Sequence, residues 1–183
     1  MTDLDLVLRR LLPDPDSFSN ETWSRRLEKF EGRAIFFAGI CLPPSYFGGR
    51  VIVTEETEGA DGTLYPAAEY ILYERRLPPV HQEHIKTHEL AHTALGHSTL
   101  VVSPEELEQL LTDQQIATPF TRLCCRASGP SQSAESYVIR DGEAERLTRL
   151  IYQRVLLARQ QQRVRRHSSQ QDLDRELRRL GLD

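Results

Sequence analysis

Cysteine is scarce in this chain: Cys41 and the adjacent pair Cys124-Cys125 are all it has. Three thiols so placed make no disulfide framework, and they point to a reducing, cytoplasmic setting. The Cys124-Cys125 pair reads as packing rather than as metal or redox chemistry. No run of 18 apolar residues is present, so no membrane-spanning helix is expected. The opening MTDLDLVLRRLLPDPD has acids ahead of a short apolar run and no small-residue cleavage site, so it does not read as a signal peptide. Internal repeats and glycine-rich phosphate loops are missing too, which argues against a solenoid and against P-loop nucleotide chemistry. Lysine is nearly absent, and the basic charge is almost all arginine.

What remains is the composition of a globular protein, 39% hydrophobic and 27% charged. A chain of 183 residues suits one domain with a single core and a small appendage. The expected division is a main domain over 1–166, with N-terminal helices in 1–32 and a core in 33–166, and a basic helical appendage over 167–183. The net charge of −4 is unevenly spread: the portion from Arg146 onward carries +6 and the rest −10. An arginine-rich end of this kind is either a solvated helical face or a docking surface for an acidic protein or nucleic acid.

DLDLVLRRLL predicts a short helix stopped by Pro13 and Pro15, and Ser19 or Asn20 can cap a second, ETWSRRLEKFE, ended by Gly32. RAIFFAGIC (33–41), RVIVTEET (50–57) and AEYILYE (68–74) are strand candidates, rich in β-branched and aromatic residues. They suggest a small, mainly antiparallel sheet of about three strands. Pro78-Pro79 opens a helix that runs to about Gly96. SPEE at 103–106 starts another, and ASGPSQSAES (127–136) has the composition of a mobile loop. A long helix from about Ile139 into the 160s and a short amphipathic one near 170–181 complete an α+β reading.

The helix after Pro79 contains IKTHELAHTALGHS (85–98), and within it His88-Glu89-Leu90-Ala91-His92, an HExxH pattern. Residues i and i+4 share a helix face, so His88 and His92 can present two imidazoles to one ion. Glu89, about 100° round from His88, can act as a general base on an attacking water. Zinc chemistry of this kind needs a third protein ligand and an open position. His84, His88 and His92 form one row, yet His84 is followed by Ile85 and so lacks an adjacent base. His81 and His84 read as helix-face or substrate-side residues. The metzincin arrangement HExxHxxGxxH requires Gly at 95 and His at 98, where this chain has Leu95 and Ser98. His97 is out of register and reads as a polar residue at the helix end.

A later helix must then supply the third ligand. RDGEAERLTRLIYQRV (140–155) offers Asp141, Glu143 and Glu145. Ala144, Leu147, Ile151, Val155 and Ala158 define an apolar stripe on it. Asp141 lies about 70° from the stripe's centre, Glu143 about 90° to one side and Glu145 about 110° to the other. Asp141 is the acid best turned inward, and Glu145 can hydrogen-bond a ligating histidine from behind. All three acids also simply suit a helix N-terminus.

With these pieces placed, the chain resembles the ImmA/IrrE family of bacterial zinc metallopeptidases. The similarity runs from about Arg33 to Val155, through the small sheet, HQEHIKTHELAHTALGH and DGEAERLTRLI. That family typically follows HExxH with a helix of the form E-x-x-A-[D/N]. Its first acid, the third metal ligand, maps onto Asp141, its Ala onto Ala144 and its last position onto Glu145. Asp141 is shorter than the usual Glu, and Glu145 stands where Asp or Asn is usual. The resemblance implies a zincin-like domain with Zn2+ held by His88, His92 and Asp141, and Glu89 as catalytic base. It also implies cleavage of a specific protein partner, a helix-turn-helix transcription regulator on a separate chain. Direct nucleic-acid binding is not expected, and AEYILYE offers an edge to which a substrate strand could add. The alternatives are a non-catalytic module that docks a regulator or nucleic acid through the arginine-rich C-terminal helices, and a different zinc-dependent hydrolysis.

Overall fold

A computed structural model of the chain describes residues 4–11, 15–43, 46–58, 62, 64–112 and 134–179. Helix α1 (Leu4–Leu11) leads through a short 3-10 turn at Pro15–Ser17 into α2 (Asn20–Glu31). Ser19 caps α2: its hydroxyl accepts from the Thr22 N–H (3.1 Å), and Thr22 Oγ1 accepts from the Ser19 N–H (3.0 Å). Strands β1 (Ala34–Ile40), β2 (Gly48–Val53) and β5 (Ala68–Glu74) follow, with a two-residue pair, β3 (Thr57–Glu58) and β4 (Leu64–Tyr65), between the last two. Helix α3 (Pro79–Ala94), strand β6 (Leu100–Val101), helix α4 (Pro104–Thr112) and helix α5 (Ala134–Arg179) complete the order.

The protein is thus mixed α and β, with a four-stranded sheet ordered β1-β5-β2-β6 and a long C-terminal helix. The three expected strands all lie in the sheet, but the sheet is not mainly antiparallel. β1 with β5 and β2 with β6 are parallel, and only β2 with β5 is antiparallel. The strand that follows β1 in sequence does not pair with it, and β5 fills the place between β1 and β2. β5 is buried along nearly its whole length and paired on both sides, so AEYILYE is the centre of the sheet and not an edge for a substrate strand.

The pleat sends alternate residues of these strands to opposite faces. One face, with Val51, Val53, Tyr70 and Leu72, packs on Val102 and on Leu107 and Leu110 of α4. The other carries Ile35 and Ile71 and packs on α1, α2, α3 and α5 through Leu8, Trp23, Leu27, Leu90, Ala91, Ala144, Leu147, Ile151 and Val155. Each large apolar side chain so buried contributes roughly 1.5–3 kcal/mol. The apolar stripe read from α5 is buried from Ala144 to Val155, and Ala158 is half-buried.

α3 begins at Pro79, where a missing N–H costs nothing. Gln82 Nε2 donates to the Arg75 and Leu77 carbonyls (3.0 and 2.7 Å) and ties that start to the preceding turn. Ser103 and Glu106 cap α4 reciprocally, as SPEE predicts: the Ser103 N–H donates to Glu106 Oε2 (3.1 Å) and the Glu106 N–H to Ser103 Oγ (3.2 Å). α5 differs from expectation in being one piece: it starts at Ala134 and runs unbroken to Arg179, with no second helix beginning near 170. Cys124-Cys125 and most of ASGPSQSAES lie outside the described residues. Among the described residues no helix is long and apolar enough to cross a membrane.

Glu74, at the end of β5, is buried and fastens the turn into α3. It accepts from the Leu42 N–H (2.7 Å), the Arg76 N–H (2.8 Å) and the Arg76 guanidinium (2.7 and 2.6 Å). The Arg76 hydrogen bond, above all, holds its carboxyl down at about 2 against the opposing effect of burial. Glu74→Gln should therefore lower the unfolding free energy at pH 7 by about 1.5–3 kcal/mol in chemical denaturation. A depressed carboxyl contributes fully above its unfolded value of 4.5 and loses that contribution as pH falls towards 2. Wild type and variant should converge across that window, and a constant gap would contradict the assignment.

Candidate metal centre

α3 lies on the sheet with Thr87, Leu90, Ala91 and Thr93 buried, which leaves His88 and His92 on the flank facing α5. Their Nε2 atoms are 3.1 Å apart. Asp141, near the start of the buried part of α5, places Oδ1 3.2 Å from His88 Nε2 and 3.8 Å from His92 Nε2. Among the described residues these three form a group able to hold a metal ion, one ligand atom from each lying within 4.8 Å of the others. A tetrahedral zinc with bonds of 2.0–2.1 Å holds its ligand atoms about 3.3 Å apart. The observed triangle fits that spacing. Protons alone do not satisfy it, because the two contacts at His88 Nε2 compete for one hydrogen, whereas a cation satisfies all three atoms together. His92 is pushed down to about 2, by burial first and then by the positive charge of Arg50 and neighbouring histidines, so at neutral pH it is a neutral ligand with a free lone pair.

The acids that flank Asp141 on α5 face the same histidines. Glu145 Oε2 lies 3.5 Å from His88 Nδ1, on the side of the ring away from Asp141, and 3.7 Å from His84 Nε2. Burial raises the Glu145 carboxyl, but the Arg149 hydrogen bond (2.8 Å) and the His84 charge outweigh it, leaving the group below the ordinary range. His84 stacks on Tyr152, with ring centroids 5.9 Å apart, and His81 is exposed at the start of α3. Neither reaches the ligand triangle.

His97 lies just past the helix end, as expected, but its contacts were not foreseen. It is no bystander at the helix end: its side chain is 8% exposed, Nδ1 is 2.9 Å from His92 Nδ1, and Nε2 is 3.3 Å from Glu143 Oε2. Gly96 takes φ +65°, and the Gly96 and His97 N–H groups donate back to the Thr93 and His92 carbonyls (2.9 and 3.0 Å). This is a Schellman turn, in which the left-handed glycine folds the chain back on the last helical turn. The helix stops at the glycine as expected, and the turn there brings His97 back against His92.

Glu89 sits on the sheet side of the triangle. Burial pushes its carboxyl up, while Arg50 and His88 pull it down. Arg50 Nε is 3.8 Å from Glu89 Oε2. The rest of that guanidinium is engaged below: Nη1 donates to Glu69 Oε1 and Thr93 Oγ1 (3.0 Å each), and Nη2 to the His97 carbonyl (3.1 Å). Thr93 Oγ1 donates to Glu69 Oε1 (2.7 Å). Arg50 and Glu69 point to the α3 face because Arg50 pairs with Ile71, two residues along β5 from Glu69. The sequence reading missed this buried network. Its signal is a charge at an inward strand position in each of RVIV and AEYILYE. Gly48 belongs to the site too, since a Cβ there would overlap Ile85 Cγ2 and crowd Glu89 Oε1 at 3.1 Å.

Comparison with models of protein families, with curated proteins and with solved structures found no match.

The depressed His92 gives a signed pH dependence. Its ring is neutral in the fold but protonates below about 6.5 in the unfolded chain, so metal-free protein loses stability through this group as pH falls below that value. Glu89, raised by burial, acts in the opposite sense, but it is present with and without His92. The stability advantage of metal-free wild type over His92→Gln should therefore shrink between pH 7.5 and 5.5 in denaturant titrations under chelator. An advantage independent of pH would contradict it.

Proposed function

We propose that the chain is a zinc-dependent endopeptidase with a zincin-like core, acting on a peptide bond of a specific protein partner. The observation that carries the reading is the convergence of His88 Nε2, His92 Nε2 and Asp141 Oδ1 beside Glu89. Two imidazoles and one carboxylate form a common donor set of catalytic zinc, whose fourth position takes water. Zinc there would polarise the scissile carbonyl and make water acidic enough to attack near neutral pH.

In this reading Glu89 takes the proton from the attacking water and delivers it to the amide nitrogen as the C–N bond breaks. Arg50 keeps that carboxylate available in a buried place, and because Glu69 already neutralises much of the guanidinium charge, Glu89 is not locked into a tight ion pair. Glu145 orients His88 from behind. The ImmA/IrrE resemblance, carried by HELAH and DGEAE, suggests the partner: a helix-turn-helix transcription regulator encoded beside the chain.

A second reading, a non-catalytic docking module, draws on α5. Its last buried residue among those described is Val155, and beyond it Arg159, Arg163, Arg165 and Arg166 are exposed. Such a surface suits an acidic partner. The two readings separate on Glu89.

Protein loaded at neutral pH should hold about one zinc per chain, and Asp141→Ala should lose most of it. Glu89→Gln should keep both zinc and fold yet lose cleavage of the neighbouring regulator by a factor on the order of 10² or more. Metal analysis and a cleavage assay by mass spectrometry read these outcomes. A protein that takes up no zinc contradicts the proposal, as does a Glu89→Gln variant that still cleaves. A regulatory effect unchanged in that variant favours the docking module.

A further inference from the structure

The ligand triangle and Glu89 leave His97 and Glu143 without a task, although His97 is among the most enclosed polar side chains near the site. We propose that Glu143 and His97 form an outer relay that fixes which nitrogen of His92 carries its hydrogen, and so raises the affinity of the site for its metal. His97 is then a positioning residue, acting through His92. The inference rests on the metal reading above and deepens it.

The contact between His97 Nδ1 and His92 Nδ1, at 2.9 Å, requires one hydrogen and only one between the two nitrogens. To ligate through Nε2, a neutral His92 must carry its hydrogen on Nδ1. His92 Nδ1–H then donates, and His97 Nδ1 must accept. A neutral His97 that accepts at Nδ1 carries its own hydrogen on Nε2, which faces Glu143 Oε2 at 3.3 Å. Each assignment follows from the one before, and the chain ends on a carboxylate, an acceptor suited to close it. Such partners behind a ligating histidine fix its tautomer, orient its ring and make it a stronger donor.

The enclosure of His97 keeps water from replacing it, and three features hold it in place. The Gly96 turn returns it to α3, its carbonyl accepts from Arg50 Nη2, and Arg140 Nη1 donates to the adjacent Ser98 Oγ (2.5 Å). With Glu145 behind His88, each ligating imidazole has a carboxylate of α5 on its far side, one directly and one through His97.

Zinc affinity, measured at one pH by competition with a chromophoric chelator, tests the relay without reference to peptidase activity. His97→Leu should bind zinc about 10- to 100-fold more weakly than wild type. His97→Asn, whose amide oxygen can stand where Nδ1 accepts, should recover most of that loss. Glu143→Gln, a change at a partly exposed position that serves if His97→Leu fails to fold, should weaken binding several-fold. In zinc-loaded wild type, 15N NMR should show His97 bare at Nδ1 and protonated at Nε2. Unchanged affinity in the folded variants, or the opposite His97 tautomer, overturns the relay and leaves the metal reading standing. A wild type that takes up no zinc overturns both.

Discussion

The packing of α5 along α3 is the contact on which the remainder of the molecule depends. Leu147, Ile151 and Val155 are buried with Leu90, Ala91 and Ile71 in one apolar cluster. That cluster fixes the phase of α5, and the phase decides where DGEAE falls. Asp141, Glu143 and Glu145 then stand opposite His88, His92 and His97. The polar site has little stability of its own, because desolvating carboxylates and imidazoles is costly. Apolar burial on the same two helices offsets that cost and holds the three side chains at a spacing that could take an ion.

Charge is layered around this contact. On the sheet side, Arg50 and Glu69 neutralise each other in a nearly water-free place, with Thr93 completing their hydrogen bonds. An ion pair so deeply buried adds little net stability, since desolvation cancels most of the attraction. Its value is positional. Arg50 reaches Glu89 on one side and the His97 carbonyl on the other, so one side chain from β2 sets both the candidate base and the turn that carries His97. Gly48 adds a steric limit from the same strand. On the opposite flank the carboxylates of α5 supply the negative charge that a cation and its imidazoles require.

How much of this could be read from the sequence follows from how local each feature is. The meeting of His88 and His92 was legible because helical spacing is fixed over one turn. Asp141 was legible through the apolar stripe, whose phase survives in the fold. The same phase set Glu145 near a histidine, whereas the partner of Glu143 was not foreseen, because His97 belongs to the turn after α3 and not to its regular face. His97 was set aside on the metzincin register, a test of spacing that says nothing of where the turn at Gly96 returns the side chain. The strand order and the Arg50–Glu69 pair were out of reach for another reason. Both depend on β5 lying between β1 and β2, a pairing of segments far apart in the chain that hydrophobic patterns do not specify.

In the function proposed above, one ion binds between α3 and α5 through two imidazoles and one carboxylate. X-ray absorption at the zinc edge, on protein loaded with one equivalent of zinc, tests it most directly. The expected spectrum has a first shell of nitrogen and oxygen alone at about 2.0–2.1 Å, with outer scattering from two imidazole rings. Sulfur scatterers at about 2.3 Å, or a spectrum that Asp141→Ala leaves unchanged, would contradict it.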